Sequence, residues 1–336
     1  MGRRSTIKIK SVCLDLVDFF RGDWMTNIEK DEFIPLFKTL EIDIKSKNDN
    51  NINQLMSKQT SRFRDLCMLY MIAVGDDEQF GYFMNIYTAY NDIHYEQDLF
   101  FRCAVTKCEY NKATMLIDKG IDVCTNDNFA IKQITDQDLS DRFGDDESDI
   151  FLQKLIDCGA DVNANNGEPL TNAAKYNIFE YVVILIKNGA DPIINNNAPI
   201  CNLCSSRAIY GNDDTRTLEY LISVGADANA RNGEPLNSCI YYNEHFVKIL
   251  LANGANINYL DHNSLYKIIQ NGNYSTAKLL QSHGVDFGIV NALTLNKKID
   301  NKKLTDLESL IELLAATSID FKLLTLNLMK SLNKDY

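Results

Sequence analysis

Leu155-Ile156-Asp157-Cys158-Gly159-Ala160-Asp161-Val162 is the stretch whose reading decides the fold. A Leu-Ile pair four and three residues ahead of a glycine closes the apolar face of a helix. The glycine takes the left-handed backbone of a helix C-cap without a Cβ penalty. A small Ala lets the next backbone approach, and the short side chain of Asp161 turns onto nearby N–H groups to open a turn. The same text returns as Leu185-Ile186-Lys187-Asn188-Gly189-Ala190-Asp191, as Leu221-Ile222-Ser223-Val224-Gly225-Ala226-Asp227 and as Leu250-Leu251-Ala252-Asn253-Gly254-Ala255-Asn256. Looser copies run through Gly120 to Asp122 and through Gly284 to Asp286, and, without the glycine, end at Asp43, Asp92 and Asp320. The intervals 92–122, 161–191 and 256–286 are each 30 residues and 227–256 is 29. A period of that size marks an array of stacked supersecondary units.

A second signature precedes the strong terminators. Gly167-Glu168-Pro169-Leu170-Thr171-Asn172-Ala173-Ala174 matches Gly233-Glu234-Pro235-Leu236-Asn237-Ser238-Cys239-Ile240, with Ala198-Pro199-Ile200-Cys201-Asn202-Leu203-Cys204 as a looser copy. Proline in the first turn of a helix costs nothing, because that N–H has no intrahelical partner. The small residues that follow permit close helix packing.

Gly-x-Pro-Leu-x-x-Ala-Ala followed by an apolar helix ending Leu-Ile-x-x-Gly-Ala-Asp resembles the ankyrin repeat. The resemblance implies an all-α solenoid of stacked antiparallel helix pairs, each pair with a short projecting hairpin or loop, the finger. Three departures stand out. Glu168, Glu234 or Ala198 replaces the usual Thr before the proline, Thr171 or Asn237 replaces the usual His, and the stretch from Gly159 to Pro169 is about three residues short of the common form. The hydrogen bonds of the replaced residues are therefore in question. Asn126-Asp127-Asn128-Phe129-Ala130-Ile131 and the Asn, Ile, Lys and Asp bias are similar to the short ankyrin repeats of giant DNA viruses of amoebae.

The expected organisation is an array over 62–321, clearest over 99–287, with a C-terminal capping helix or tail at 322–336. Residues 1–61 read as a diverged first repeat or cap, with helical apolar faces at 11–20 and 30–40 and a mobile loop at 45–61, where only Ile52, Leu55 and Met56 are apolar. An effector-recruiting module in 1–60, such as one for a ubiquitin-ligase complex, is the alternative. Helices at 63–74 and 78–89 carry Phe63, Tyr70, Phe80, Tyr82, Phe83 and Tyr87, read as core. Relative to 30 residues, the interval Asp122–Asp161 holds nine more, around Asp136–Asp149, and Asp191–Asp227 six more, around Ser205–Arg216. Both excesses fall between the two helices of a unit. The first is a run of carboxylates without the spacing or central glycine of an EF-hand, and reads as a solvated charge run.

With 336 residues, 45% hydrophobic content and net charge −12, the chain has ample core and no basic stripe for nucleic acid. It has no apolar run long enough to span a membrane. Met1-Gly2 fits an N-myristoylation pattern, but Arg3 directly after the glycine makes it a poor substrate. Nine cysteines, an odd number without a secretory signal, read as reduced thiols and a cytoplasmic setting. Cys201-x-x-Cys204 is half of a zinc site without a second half, and repeat alignment makes both small core residues. The histidines, 94, 245, 262 and 283, fall at unrelated repeat positions. Phosphate loop, His-Glu-x-x-His and Gly-x-Ser-x-Gly motifs are all missing, so no catalytic, cofactor or metal site is expected.

What remains is binding of a protein, without nucleic acid, membrane or small-molecule substrate, by a monomer. The resemblance implies that partners are held on a concave face by fingers and inner-helix ends. The matching inner-helix positions are Lys175, Tyr176, Tyr241, Tyr242, Gln270 and Asn271. The matching finger positions are Asn165, Asn166, Asn196, Arg231, Asn232, Tyr259 and His262. Tyrosine offers large contact area at little rotamer entropy, which singles out Tyr176, Tyr241 and Tyr242 as anchors.

Overall fold

Gly189 has φ of +93° and ends a helix with two bonds, Ala190 N–H to Leu185 O (3.0 Å) and Gly189 N–H to Ile186 O (3.0 Å). This is the Schellman pairing, which satisfies the last carbonyls of the helix. The computed structural model describes residues 27–136, 146–209, 213–261, 264–265, 267–268, 273–285 and 287. It repeats that pairing at Gly120, Gly159, Gly225, Gly254 and Gly284. The terminators are thus the punctuation of the fold.

Among the described residues the secondary structure is helical, without strands. The chain divides into two compact units, residues 1–165 and 166–336. The first contains α1 (Asn27–Lys45), α2 (Asp49–Lys58), α3 (Ser61–Val74), α4 (Asp77–Tyr87), α5 (Tyr95–Thr106), α6 (Tyr110–Asp118), α7 (Thr125–Thr135) and α8 (Asp146–Asp157). Helix α9 (Ala164–Lys175) starts at its end, and the second unit continues with α10 (Phe179–Lys187), α11 (Ile194–Ser205), α12 (Arg216–Ser223), α13 (Ala230–Cys239), α14 (Glu244–Ala252) and α15 (Tyr274–Ser282). Inner helices stack on inner helices, α3 on α5 on α7 in one unit and α11 on α13 in the other. Outer helices do the same: α4 on α6 on α8, and α10 on α12 on α14 on α15.

The small residues of the second signature lie where inner helices meet. Ala173, Ala174, Cys201, Cys204 and Cys239 are all fully buried. Burial raises the thiols of Cys201, to about 12, and of Cys204, which is also hydrogen-bonded to Cys239. Both are therefore core residues in the thiol form, and the alignment of Cys204 with Ala174 and of Cys239 with Ala173 holds, since all four are buried. Among the described residues no three of His, Cys, Asp or Glu converge as metal ligands would.

In the first unit the aromatic residues of α3 and α4 build the core. Phe63, Phe80, Phe83 and Tyr87 are fully buried and Tyr70 nearly so. The Tyr87 hydroxyl donates to buried Asp65 (2.8 Å), whose carboxylate also accepts from Asn91 Nδ2 (2.6 Å). Tyr82 and Tyr90 lie nearer the surface, with their hydroxyls on Asp49 and Asn53.

Two expectations fail at the N-terminal end. Residues 45–61 are not a loop: they contain α2, capped by Asn48 Oδ1 on Asn51 N–H, with Ile52 and Met56 fully buried. Ile52 and Met56, four apart, form a one-stripe helix whose polar remainder faces solvent. A short stripe in an Asn-rich setting carries too little periodicity to announce itself. Asp43 likewise opens no turn, because α1 runs on to Lys45. The left-handed cap falls instead at Lys47 (φ +50°), with Lys47 N–H on Ile44 O (3.0 Å) and Asn48 N–H on Asp43 O (2.8 Å). The reading of 11–20 as helical, and those of 288–321 and 322–336, lie outside the described residues.

Candidate protein-binding surface

Six terminators open with the same contact. The Asp or Asn side chain accepts the N–H two residues on: Asp92 from His94, Asp122 from Cys124, Asp161 from Asn163, Asp191 from Ile193, Asp227 from Asn229 and Asn256 from Asn258, all within 2.8–3.0 Å. These Asx turns orient the chain for the finger.

The finger is a single turn of left-handed backbone. Three successive residues have positive φ at 96–98, 126–128, 165–167, 195–197 and 231–233. Asn, Asp and Gly tolerate this conformation best, and they supply twelve of these fifteen positions, which explains the Asn-rich composition. With no room for a longer hairpin, the chain reverses in three residues and enters the inner helix. Ala198 and Glu234 begin the right-handed parts of α11 and α13, so Pro199 and Pro235 sit in the first turn.

The stacked fingers are tied together by side chains. Asn128 Oδ1 accepts from Asp161 N–H and Asn197 Oδ1 from Asp227 N–H, both at 2.9 Å. Asn229 accepts from Asn256 N–H (2.7 Å) and donates to Gly254 O (2.8 Å). Asn237, standing where the family has His, donates to Tyr259 O (2.8 Å) and accepts from Asp261 N–H (3.2 Å). At this one departure a carboxamide thus supplies side-chain bonds to the neighbouring backbone. Tyr259, 43% exposed, packs onto Gly233, where an added Cβ would lie 2.6 Å from the tyrosine Cβ.

The candidate residues separate into two rows. Asn165, Asn166, Asn196, Arg231, Asn232 and Tyr259 are on the finger side, with Asn165, Asn166, Asn196 and Asn232 exposed. Arg231 is committed internally: Nε donates to Asn196 O (3.1 Å) and Nη2 to Asn195 O (2.9 Å). Tyr176, Tyr241 and Tyr242 lie in the turns from inner to outer helix, just past the helix ends that Lys175 closes in one case. About eight residues of right-handed helix, some 12 Å, separate the rows. The tyrosines therefore share the kind of connection in which the excess 205–216 emerges, rather than lying apart from it. Gln270, Asn271 and His262 lie outside the described residues.

The three tyrosines differ. Tyr242 donates its hydroxyl to Cys204 O (2.6 Å) and serves the fold. Tyr176 is half-buried beneath the exposed Lys175, whose ammonium is 4.7 Å from the ring centroid. Tyr241 is half-buried, edge-on to Tyr242 (4.9 Å), with the Lys267 ammonium 5.2 Å from its centroid. Stitching continues along this row, Asn177 to Asp214 O (3.3 Å) and Asn243 to Ile209 O (2.8 Å). Sequence reading missed both the left-handed turns and these carboxamide ties. The run Asn195-Asn196-Asn197 was the available signal, since three adjacent asparagines are poor in either regular element.

Residues 205–291 match the family model described as ankyrin repeats, in three copies. The chain carries ankyrin repeats. It is 25% identical over 308 residues to an ankyrin repeat protein of Acanthamoeba polyphaga mimivirus, covering 89% of this chain and 76% of that protein. A second mimivirus ankyrin repeat protein is 29% identical over 209 residues, 62% of this chain and 63% of its own length. An ankyrin repeat protein of fowlpox virus is 28% identical over 179 residues, 46% and 52% of the two chains. Ankyrin repeats are in general modules of protein interaction, and the family is typically a non-enzymatic scaffold. Among the described residues no helix is long and apolar enough to cross a membrane.

Proposed function

We propose that this ankyrin-repeat chain is a non-catalytic scaffold that holds a protein partner on the repeats of residues 166–336, as a viral adaptor in the cytoplasm of a host cell. The observation that carries the site is the pair Tyr176 and Tyr241. Both rings are half-exposed on rigid, side-chain-stitched turns, and each is topped by a lysine ammonium. An aromatic ring on a preformed platform loses little entropy on binding, and the lysines bring a donor beside each ring. Asn196, Asn232 and Tyr259 in the finger row supply a polar rim, and a partner touching both rows lies along the inner helices. Relatives that are themselves viral ankyrin repeat proteins support the setting.

The recruitment-module alternative for residues 1–60 loses ground in α1. Phe37 stacks on Phe63 (5.5 Å) and Tyr70 (5.1 Å), so the helix packs onto the repeats as a repeat would. The test is affinity capture from amoebal lysate with the monomeric full chain and with the Tyr176→Ala, Tyr241→Ala double variant. Loss of two aromatic anchors, each commonly about 2 kcal/mol or more, is expected to weaken capture by more than about tenfold. Circular dichroism confirms that the variant is folded. Unchanged capture by a folded double variant overturns the site.

A further inference from the structure

The left-handed turn exposes two successive carbonyls that point the same way, and twice in this molecule an arginine grips them. Arg102 places Nε on Gln97 O (2.9 Å) and Nη2 on Glu96 O (2.8 Å). Arg231 places Nε on Asn196 O and Nη2 on Asn195 O. The assignment of guanidinium nitrogens is the same in both, although Arg102 reaches from its own repeat and Arg231 from the next. The turn therefore recognises a planar fork of two N–H donors, which arginine has and lysine lacks.

Asn126-Asp127-Asn128 is the same turn. Its φ/ψ pairs are 50/48, 60/54 and 54/40, against 51/47, 56/55 and 60/36 at Asn195-Asn196-Asn197. In both, the third Asn accepts the N–H of the next repeat's Asp at 2.9 Å, which fixes the turn in its stack. The difference is the occupant. Four residues after Asp227 stands Arg231, and four residues after Asp161 stands Asn165, a single carboxamide that cannot present a guanidinium fork. Among the described residues no side chain donates to the carbonyls of Asn126 and Asp127, and both residues are exposed. The Asp127 carboxylate accepts from Lys132 Nζ (3.0 Å) but stays 79% exposed, and the chain as a whole is acidic.

We propose that the Asn126–Asp127 turn is a receptor for an arginine side chain presented by a partner polypeptide. It is a contact in the 1–165 unit, separate from the tyrosine row. The carbonyl pair gives the geometry, and the net charge of −12 on the chain gives charge complementarity.

The probes are two labelled peptides, four Arg-Gly repeats and four Lys-Gly repeats, titrated into the full-length protein at about 0.15 M salt, where the screening length is about 8 Å. The arginine peptide is expected to bind about tenfold or more tightly than the lysine peptide and to shift the amide resonances of residues 126–128. Asn165→Arg is expected to fill the turn from within, as Arg231 does at the homologous place, and to abolish those shifts. Asn165→Lys, with the same charge and no fork, is expected to retain most of the arginine preference. Arg231→Ala is expected to open a second site, seen as new shifts at residues 195–197. Equal affinity for the two peptides, or shifts at 126–128 that survive in folded Asn165→Arg, overturns the proposal. Should Asn165→Arg unfold on a thermal melt, Arg231→Ala decides alone: no arginine-dependent shift at 195–197 overturns the recognition rule.

Discussion

At the scale of single residues, backbone conformation and burial decide most outcomes. A Cβ added at Gly189 meets no heavy atom within 4 Å, so any penalty there comes from φ of +93° alone. Gly189→Val is expected to cost more than the roughly 1–2 kcal/mol of a left-handed L-residue, because β-branching adds to it. Asn188→Ala removes the exposed bond to Ile184 O (2.9 Å) without touching the left-handed cap and is expected to cost less than Gly189→Val. Thermal melts of the two variants measure the contrast, and equal losses would contradict the assignment of Gly189 as a cap. Thiol chemistry follows burial. The thiolate is the reactive species, and burial holds Cys201 and Cys204 in the thiol form. In native protein at mildly alkaline pH, iodoacetamide is expected to modify exposed Cys158 while Cys201 and Cys204 react only after unfolding. Metal analysis is expected to find no stoichiometric zinc, and zinc that disappears in a Cys201→Ala, Cys204→Ala variant would reverse the core assignment.

At the scale of elements, two helix caps separate local from tertiary roles. Thr60 caps α3 with a single bond to Phe63 N–H (3.2 Å) and is exposed. Asn243 caps α14 through Phe246 N–H (3.0 Å) and also donates to Ile209 O (2.8 Å), with 5% of its surface exposed. Thr60→Ala is expected to cost about 1 kcal/mol, the ordinary value of a cap. Asn243→Ala leaves a donor and an acceptor unpaired in a buried place and is expected to cost about 2–4 kcal/mol. Urea denaturation at constant m-value reads the difference. If the two variants lose the same stability, the bond to the 207–209 turn contributes nothing.

At the scale of the molecule, contacts run between neighbouring repeats, and damage is expected to stay local. In such arrays stability is close to a sum of repeat and nearest-neighbour terms. Asn243→Ala is therefore expected to speed amide exchange across residues 207–252 while leaving α3 and α4 as slow as before. A uniform rise across the chain would show that the molecule opens as one cooperative block. The two rows of the candidate surface gain from the same design. Side chain to backbone bonds stitch both rows, so a proposed anchor such as Tyr241 sits on a platform that does not have to be ordered by a partner.

The sequence alone determined the repeat, its period, the helix ends and the buried cysteines. These depend on local chemistry: a glycine that can turn left, an Asp that caps two residues on, and small residues in step with their neighbours. The two helices at 63–74 and 78–89 were legible for the same reason, and appear as 61–74 and 77–87. Only the tertiary structure decided the rest. Helix α2 exists because Ile52 and Met56 find a core to enter, and two apolar residues among asparagines and lysines do not disclose that. The left-handed turns need three adjacent residues to hold a costly conformation, and what holds them is the next repeat, through bonds such as Asn128 to Asp161 and Arg231 to Asn195. Whether a tyrosine is an anchor or a strut is likewise a matter of what lies opposite. Tyr241 and Tyr242 are adjacent in the chain, yet the hydroxyl of one is given to Cys204 and the ring of the other is left half-exposed under a lysine. Such contacts join residues more than 20 apart, and their geometry is set by stacking, not by the order of residues along the chain.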